Sequence, residues 1–168
     1  MRLYSTEQVS KYHPDKYADQ ISDAILTACL QEDPHSRVAC ECMVKDNTIV
    51  LGGEITTKAD VNFETVARRV ADKLHYKVDE VINLIGKQSP EIASAVDSVD
   101  TLGAGDQGIM FGYATDETPE LLPYGFTVAN RIIKAIEMDV DHNAESLLQG
   151  DAKTQVTVDL DGDGFGGT

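Results

Sequence analysis

Residues 103–118, GAGDQGIMFGYATDET, place four glycines around an acid, an amide and an aromatic block. Because glycine lets the backbone turn tightly and approach a ligand, this density of glycine indicates a binding loop. The first six residues also fit G-x-G-x-x-G, the dinucleotide-binding fingerprint, which needs a hydrophobic strand before it and a helix after it. Residues 96–100 are too acidic for that strand, and residues 109–114 favour a strand over a helix. The pattern therefore does not indicate an NAD site.

Around this block, the spacing of apolar residues predicts an α+β chain. A period of three to four residues, typical of a helix with one buried face, predicts helices over residues 14–31, 62–75, 78–85 and 124–138. Alternation and β-favouring composition predict strands over residues 37–45, 48–57, 109–114 and 154–160. We expect the first two of these strands to form a hairpin through Asp46 and Asn47.

The composition is that of an acidic globular protein. The chain has 168 residues, of which 42% are hydrophobic, and a net charge of −15, which argues against a basic nucleic-acid-binding surface. No run approaches the ~20 apolar residues of a membrane span, and the first residues lack the apolar core of a signal peptide. We therefore expect a cytoplasmic protein with no nucleic-acid or membrane partner. A polyphosphate ligand would need metal ions to screen the repulsion.

The three cysteines indicate neither a disulfide framework nor a zinc site. Cys40 and Cys42 lie two apart on a predicted strand, where they share a face and do not readily bridge, and no second ligand pair exists for zinc. We expect both, with Cys29, to be reduced residues of the core.

The last residues have the composition of a turn. Residues 161–164, Asp-Gly-Asp-Gly, are typical of a hairpin, but only four residues follow. The acids at 159, 161 and 163 also fit the first half of a calcium loop, whose bidentate glutamate is absent. We therefore expect a truncated chain.

His13-Pro14-Asp15-Lys16 lies where the first helix is predicted to begin. Helix N-termini favour anions, so a histidine, a carboxylate and a lysine there suit a phosphate, a metal and a counter-charge. An aspartate that caps its helix beside a surface histidine is the alternative.

Several motifs together resemble S-adenosylmethionine synthetases (methionine adenosyltransferases), and they follow the order found in that family. They are residues 13–16 (HPDK) with 19–24 (DQISDA), 37–41 (RVACE), 52–57 (GGEITT), 88–92 (QSPEI), the block 103–118, and 151–156 (DAKTQV). The resemblance implies a fold of similar α+β units, with mixed sheets and helices packed on one face. Residues 1–100 would be the N-terminal segment, and residues 101–168 the start of a truncated central segment.

The family resemblance implies an activity, its cofactors and an assembly. Such enzymes join ATP to L-methionine with Mg²⁺ and K⁺: the sulfur attacks C5′ of the ribose and expels the triphosphate, which is hydrolysed to phosphate and diphosphate. Cations on the triphosphate and carboxylates near the sulfonium would lower the barrier. A homodimer or higher homo-oligomer is expected.

The resemblance also assigns residues. His13 and Lys153 would be catalytic and would bind ATP, and we expect them to converge with Asp15 on one triphosphate. Asp15 would hold magnesium and Glu41 potassium. ATP would further contact Asp106, Asp151 and Ala152.

Methionine would contact Glu54 through its ammonium group, Gln88 through its polar end, and Asp106. Residues 89–102 would form a gate over the site. Ordinary strand, loop and turn positions remain the alternative for these side chains.

The chain also departs from the family pattern. Ser10-Lys11-Tyr12 stands where Ser-Glu-Gly is usual, residues 74–81 are abbreviated, and the family's later lysines and Gly-Lys-Asp core have no counterpart. We therefore expect the 168 residues alone to form little or no product. The alternative function is a non-catalytic nucleotide-binding subunit or remnant that pairs with a full-length synthetase.

Overall fold

The structure, a computed structural model, describes residues 2–87 and 107–161. Its elements confirm an α+β fold. In chain order they are β1 (Leu3–Val9), α1 (Pro14–Glu32), β2 (Arg37–Lys45), β3 (Thr48–Thr56), α2 (Phe63–Lys73), β4 (Glu80–Asn83), α3 (Tyr124–His142) and β5 (Lys153–Asp159). The chain forms two compact units, Met1–Lys16 with Phe111–Thr168 and Tyr17–Met110, and α1 belongs in part to each.

In the first unit, α3 packs against a two-stranded antiparallel sheet. Strands β1 and β5 pair from Leu3 opposite Asp159 to Val9 opposite Lys153. The helix lies close to the sheet because its contact residues are small: a Cβ added at Gly125 would lie 3.1 Å from a methyl carbon of Val158. The opposite face carries mostly polar side chains, with Leu3 and Val9 at its two ends.

In the second unit, helices cover one face of a mixed three-stranded sheet. The strand order is β2-β3-β4, with β2 and β3 antiparallel and β4 parallel to β3. Apolar positions at helical spacing on α1 and α2 meet the alternate apolar positions of the strands. The buried core consists of Tyr17, Ile21, Ile25, Cys29, Val44, Ile49, Leu51, Ile55, Val66, Ala67, Val70 and Ala71.

Two predicted elements are wrong. Residues 78–85 form no helix, because the short β4 segment pairs with β3 from Thr48 opposite Glu80 to Leu51 opposite Asn83. Five apolar residues in eight fit either element, and the free edge of β3 decides between them. Residues 109–114 form no strand. Phe111 is 94% exposed, and β-propensity expresses fit to a half-buried pleated surface, which these residues do not have.

Candidate functional site

The HPDK motif begins α1, and the turn that precedes this helix is tied to the start of β5 by Ser10. This serine is fully buried. Its hydroxyl donates to the carbonyl of Gly150 (2.6 Å) and accepts from the amide of Ala152 (3.2 Å). Its own amide donates to the carbonyl of Ala152 (2.9 Å), which continues the β1–β5 pairing past Val9. The turn before α1 is thereby held beside residues 150–152.

His13 and Asp15 face each other across the first turn of α1. The amide of Asp15 donates to Nδ1 of His13 (3.2 Å), and a carboxylate oxygen of Asp15 lies 3.7 Å from the same nitrogen. When neutral, a ring that accepts at Nδ1 carries its proton on Nε2. The side chain of Asp15 is 87% exposed, whereas the side chain of His13 is 25% exposed. The helix therefore presents an accessible acid and a half-buried imidazole at its positive end.

Lys153 begins β5 and forms an ion pair with a residue that sequence analysis missed. Its Nζ lies 2.9 Å from a carboxylate oxygen of Glu7, two residues before its strand partner Val9. The hydrogen bond to Glu7 raises the pKa of Lys153, and the nearby charge of Asp15 adds a smaller upward contribution. The lysine therefore stays protonated at neutral pH, in the field of both acids.

The first unit thus gathers five of the predicted site residues at one end of its sheet. We call them the HPDK-end cluster: His13, Asp15, Asp151, Ala152 and Lys153. Asp151 is exposed and directly precedes Ala152, so the cluster offers one imidazole, one ammonium and two carboxylates at a helix N-terminus. Such a site suits a phosphate chain that carries a cation.

Glu41 and Glu54 lie in the second unit, on the exposed side of the β2–β3 hairpin. Glu41 is opposite Gly52 and Glu54 is opposite Ala39, so the two acids are diagonal neighbours on one face. Both are exposed, and nothing lies within 4 Å of a Cβ built on Gly52. Two carboxylates beside bare backbone suit a cation or an ammonium group. Over residues 2–87 and 107–161, no group of three His, Cys, Asp or Glu side chains is placed to hold a metal ion.

The remaining predicted site residues lie outside the described part of the chain. These are Gln88 and Asp106, together with the predicted gate over residues 89–102 and most of the turn at 161–164.

Lys11 and Tyr12, the departures from the family pattern, turn towards the last turns of α3. Nζ of Lys11 lies 2.6 Å from one carboxylate oxygen of Asp141, and the hydroxyl of Tyr12 donates to the other. The amide of Lys11 donates to Glu137 (2.6 Å). The hydrogen bond from Lys11, and then that from Tyr12, lowers the pKa of Asp141. Sequence analysis missed both acids, because positions 126–130 residues apart carry no local signal of contact.

Two protein-family models match consecutive parts of the chain. The model for the N-terminal domain of S-adenosylmethionine synthetase matches residues 1–99, and the model for the central domain of that enzyme matches residues 101–165. In the described residues, no helix has the length and apolar character that crossing a membrane requires.

Proposed function

This chain belongs to the S-adenosylmethionine synthetase family, and we propose that it binds ATP and L-methionine as part of a methionine adenosyltransferase. The observation that carries the proposal is the bonding of Ser10 to residues 150–152, which brings the start of α1 and the start of β5 together. The HPDK-end cluster is proposed to bind the triphosphate of ATP.

The charges of the cluster support this assignment. The net charge of −15 repels a polyphosphate, so a binding site needs local positive groups. Lys153, the Nε2 proton of His13 and the positive end of the α1 dipole supply them. These donors are proposed to stabilise the charge that develops on the triphosphate as the bond to C5′ breaks. His13 and Lys153 are therefore the proposed catalytic residues, and Asp151 and Ala152 are proposed ATP contacts.

Asp15 is the proposed magnesium ligand. Its carboxylate is 87% exposed, and Mg²⁺ commonly takes one or two carboxylates, phosphate oxygens and water rather than a closed protein cage. A bound magnesium ion supplies neutralisation of the triphosphate charge. Asp15 thus fits a metal that arrives with the nucleotide.

The acidic face of the β2–β3 hairpin is the proposed site for the second substrate and for potassium. Glu54 is proposed to bind the ammonium group of methionine, and Glu41 to bind K⁺. Gln88 and Asp106 are further proposed methionine contacts, and Asp106 is also assigned to ATP. We further propose a homodimer or higher homo-oligomer and a cytoplasmic location. The proposed domains are an N-terminal segment, residues 1–100, and the start of a central segment, residues 101–168.

Calorimetric titration with magnesium tripolyphosphate tests the triphosphate site. Because a charge-assisted hydrogen bond to phosphate would be lost, Lys153→Ala is expected to weaken binding about tenfold. The matched control is Lys45→Ala, which removes a lysine with an acidic partner, Asp46, at 2.9 Å on the β2–β3 hairpin. Equal affinities for the two variants, or no binding by the parent chain, would contradict the assignment.

Association with a complete synthetase, measured together with turnover, separates the proposed enzyme from a non-catalytic nucleotide-binding subunit that pairs with a full-length synthetase. Lys11 and Tyr12, which depart from the family pattern, support this second candidate. The chain is incubated with ATP, L-methionine, Mg²⁺ and K⁺, alone and with a complete synthetase. Little or no product is expected from the chain alone. Tripolyphosphate binding without product, together with association with the complete enzyme, would favour the second candidate.

A further inference from the structure

The segment that leads into the His13–Asp15 turn is attached to α3 through two carboxylates, those of Asp141 and Glu137. Both oxygens of Asp141 are engaged, one by the ammonium of Lys11 at 2.6 Å and the other by the hydroxyl of Tyr12. The Lys11 amide adds a bond to Glu137, one turn earlier on the helix. Two adjacent residues therefore make three polar contacts with the same two helical turns, whereas a chance surface ion pair makes one.

The ring of Tyr12 is seated on a glycine that has no room for a side chain. A Cβ added at Gly150 would lie 2.7 Å from Cγ of Tyr12 and 2.8 Å from Cδ2, closer than real Cβ atoms approach such atoms. The carbonyl of Gly150 also accepts the hydroxyl of Ser10. Gly150 thus contacts both ends of the short segment 10–12, and the ring lies where residue 150 and α3 both restrain it.

These contacts restrain the candidate site itself. The amide of His13 donates to the carbonyl of Ser10 (3.0 Å), so displacement of residues 10–12 also displaces the imidazole and the start of α1. We propose that Tyr12 and Asp141 are positioning residues that hold the His13–Asp15 turn against the start of β5. The consequence for triphosphate affinity rests on the proposed function, whereas the placement of the turn does not.

The test is a double-mutant cycle between Tyr12 and Gly150. Two quantities are measured: the NMR signals of the His13 ring and the Asp15 amide, and the affinity for magnesium tripolyphosphate. Gly150→Ala drives a methyl group into the ring, so both signals are expected to move and the affinity to fall about tenfold. In the Tyr12→Gly background the ring is gone, and adding Gly150→Ala is expected to change neither quantity further. The control is Glu120→Gln, which breaks the 2.8 Å ion pair with Arg131 on α3 and should leave both quantities unchanged.

The outcomes separate this proposal from the proposed function. If Gly150→Ala has the same effect with and without Tyr12, or if the His13 and Asp15 signals do not respond, the positioning role of Tyr12 and Asp141 is refuted. If the parent chain binds no tripolyphosphate while the signals follow the cycle, the proposed function fails and this positioning role stands. Should Tyr12→Gly not fold, Tyr12→Phe keeps the ring and removes only the bond to Asp141. It is expected to move the His13 signal less than Gly150→Ala does, and an unmoved signal would refute the role of Asp141.

Discussion

Replacing Gly53 with alanine tests whether the β2–β3 hairpin, which carries Glu41 and Glu54, depends on one backbone conformation. Gly53 lies on β3 opposite Cys40 and has a φ of +106°. A Cβ there would lie 2.1 Å from the carbonyl oxygen of Ala39. Because the neighbouring atom belongs to the backbone, the clash cannot be relieved by a side-chain rotation, and the strands must move apart by roughly 1 Å to restore ordinary packing distances.

The cost follows from two contributions. A left-handed conformation costs a residue with a Cβ about 1–2 kcal/mol, and displacement of β2 weakens at least one ladder hydrogen bond, worth about 1 kcal/mol. The carbonyl of Gly53 also accepts the amide of Gly86 (2.9 Å), which the movement disturbs. We expect Gly53→Ala to lower the free energy of unfolding by about 3 kcal/mol, which corresponds to a melting temperature about 6–12 °C lower.

The adjacent glycine supplies the control. Nothing lies within 4 Å of a Cβ at Gly52, and its φ is not in the left-handed region. Gly52→Ala should therefore stay within about 1 kcal/mol of the parent, since it also reduces the entropy of the unfolded chain. Urea unfolding followed by far-UV circular dichroism compares the two. If Gly53→Ala is no less stable than Gly52→Ala, the reasoning from the close approach to Ala39 is wrong.

Two further predictions concern the core. Tyr17 is fully buried, and its hydroxyl has no hydrogen-bond partner within residues 2–87 and 107–161. Tyr17→Phe should therefore leave the free energy of unfolding unchanged or raise it by about 1 kcal/mol. A loss above about 1 kcal/mol in urea unfolding would contradict this prediction. Burial raises the pKa of Cys42 to about 12 from 9.0. At pH 8 alkylation of Cys42, which is partly buried, should be about a thousandfold slower than in the urea-unfolded chain and should quicken about tenfold per pH unit; equal rates would contradict the raised pKa.

Local periodicity was enough to predict most of the secondary structure. The apolar stripe of α1, the alternation of β2 and β3, and the stripe of α2 each lie within one element, and the structure places them within two residues of the predicted bounds. For α3 the predicted end, residue 138, falls short of His142, because the last turn is mostly polar and Val140 alone does not extend the apolar pattern. The order of the motifs was likewise sufficient to identify the family, which the matches to residues 1–99 and 101–165 confirm.

Long-range pairing accounts for the rest. Strand β1 is rich in polar residues and becomes a strand through its register with β5, some 150 residues later. Strand β4 exists because the edge of β3 accepts it. Neither pairing can be predicted from the local spacing of apolar residues, because the tertiary fold determines which segment pairs with a strand edge.

The candidate site divides in the same way. The residue types at the start of α1 and of β5 were readable from the motifs, because a helix N-terminus has a known preference for anions wherever it lies. Their proximity was not readable. It depends on the buried hydroxyl of Ser10, on the ion pair between Glu7 and Lys153, and on the seating of Tyr12 against Gly150, and each of these contacts joins positions more than 130 residues apart. The sequence thus determines which chemical groups the site contains, whereas the packing of the folded chain determines that these groups lie close together.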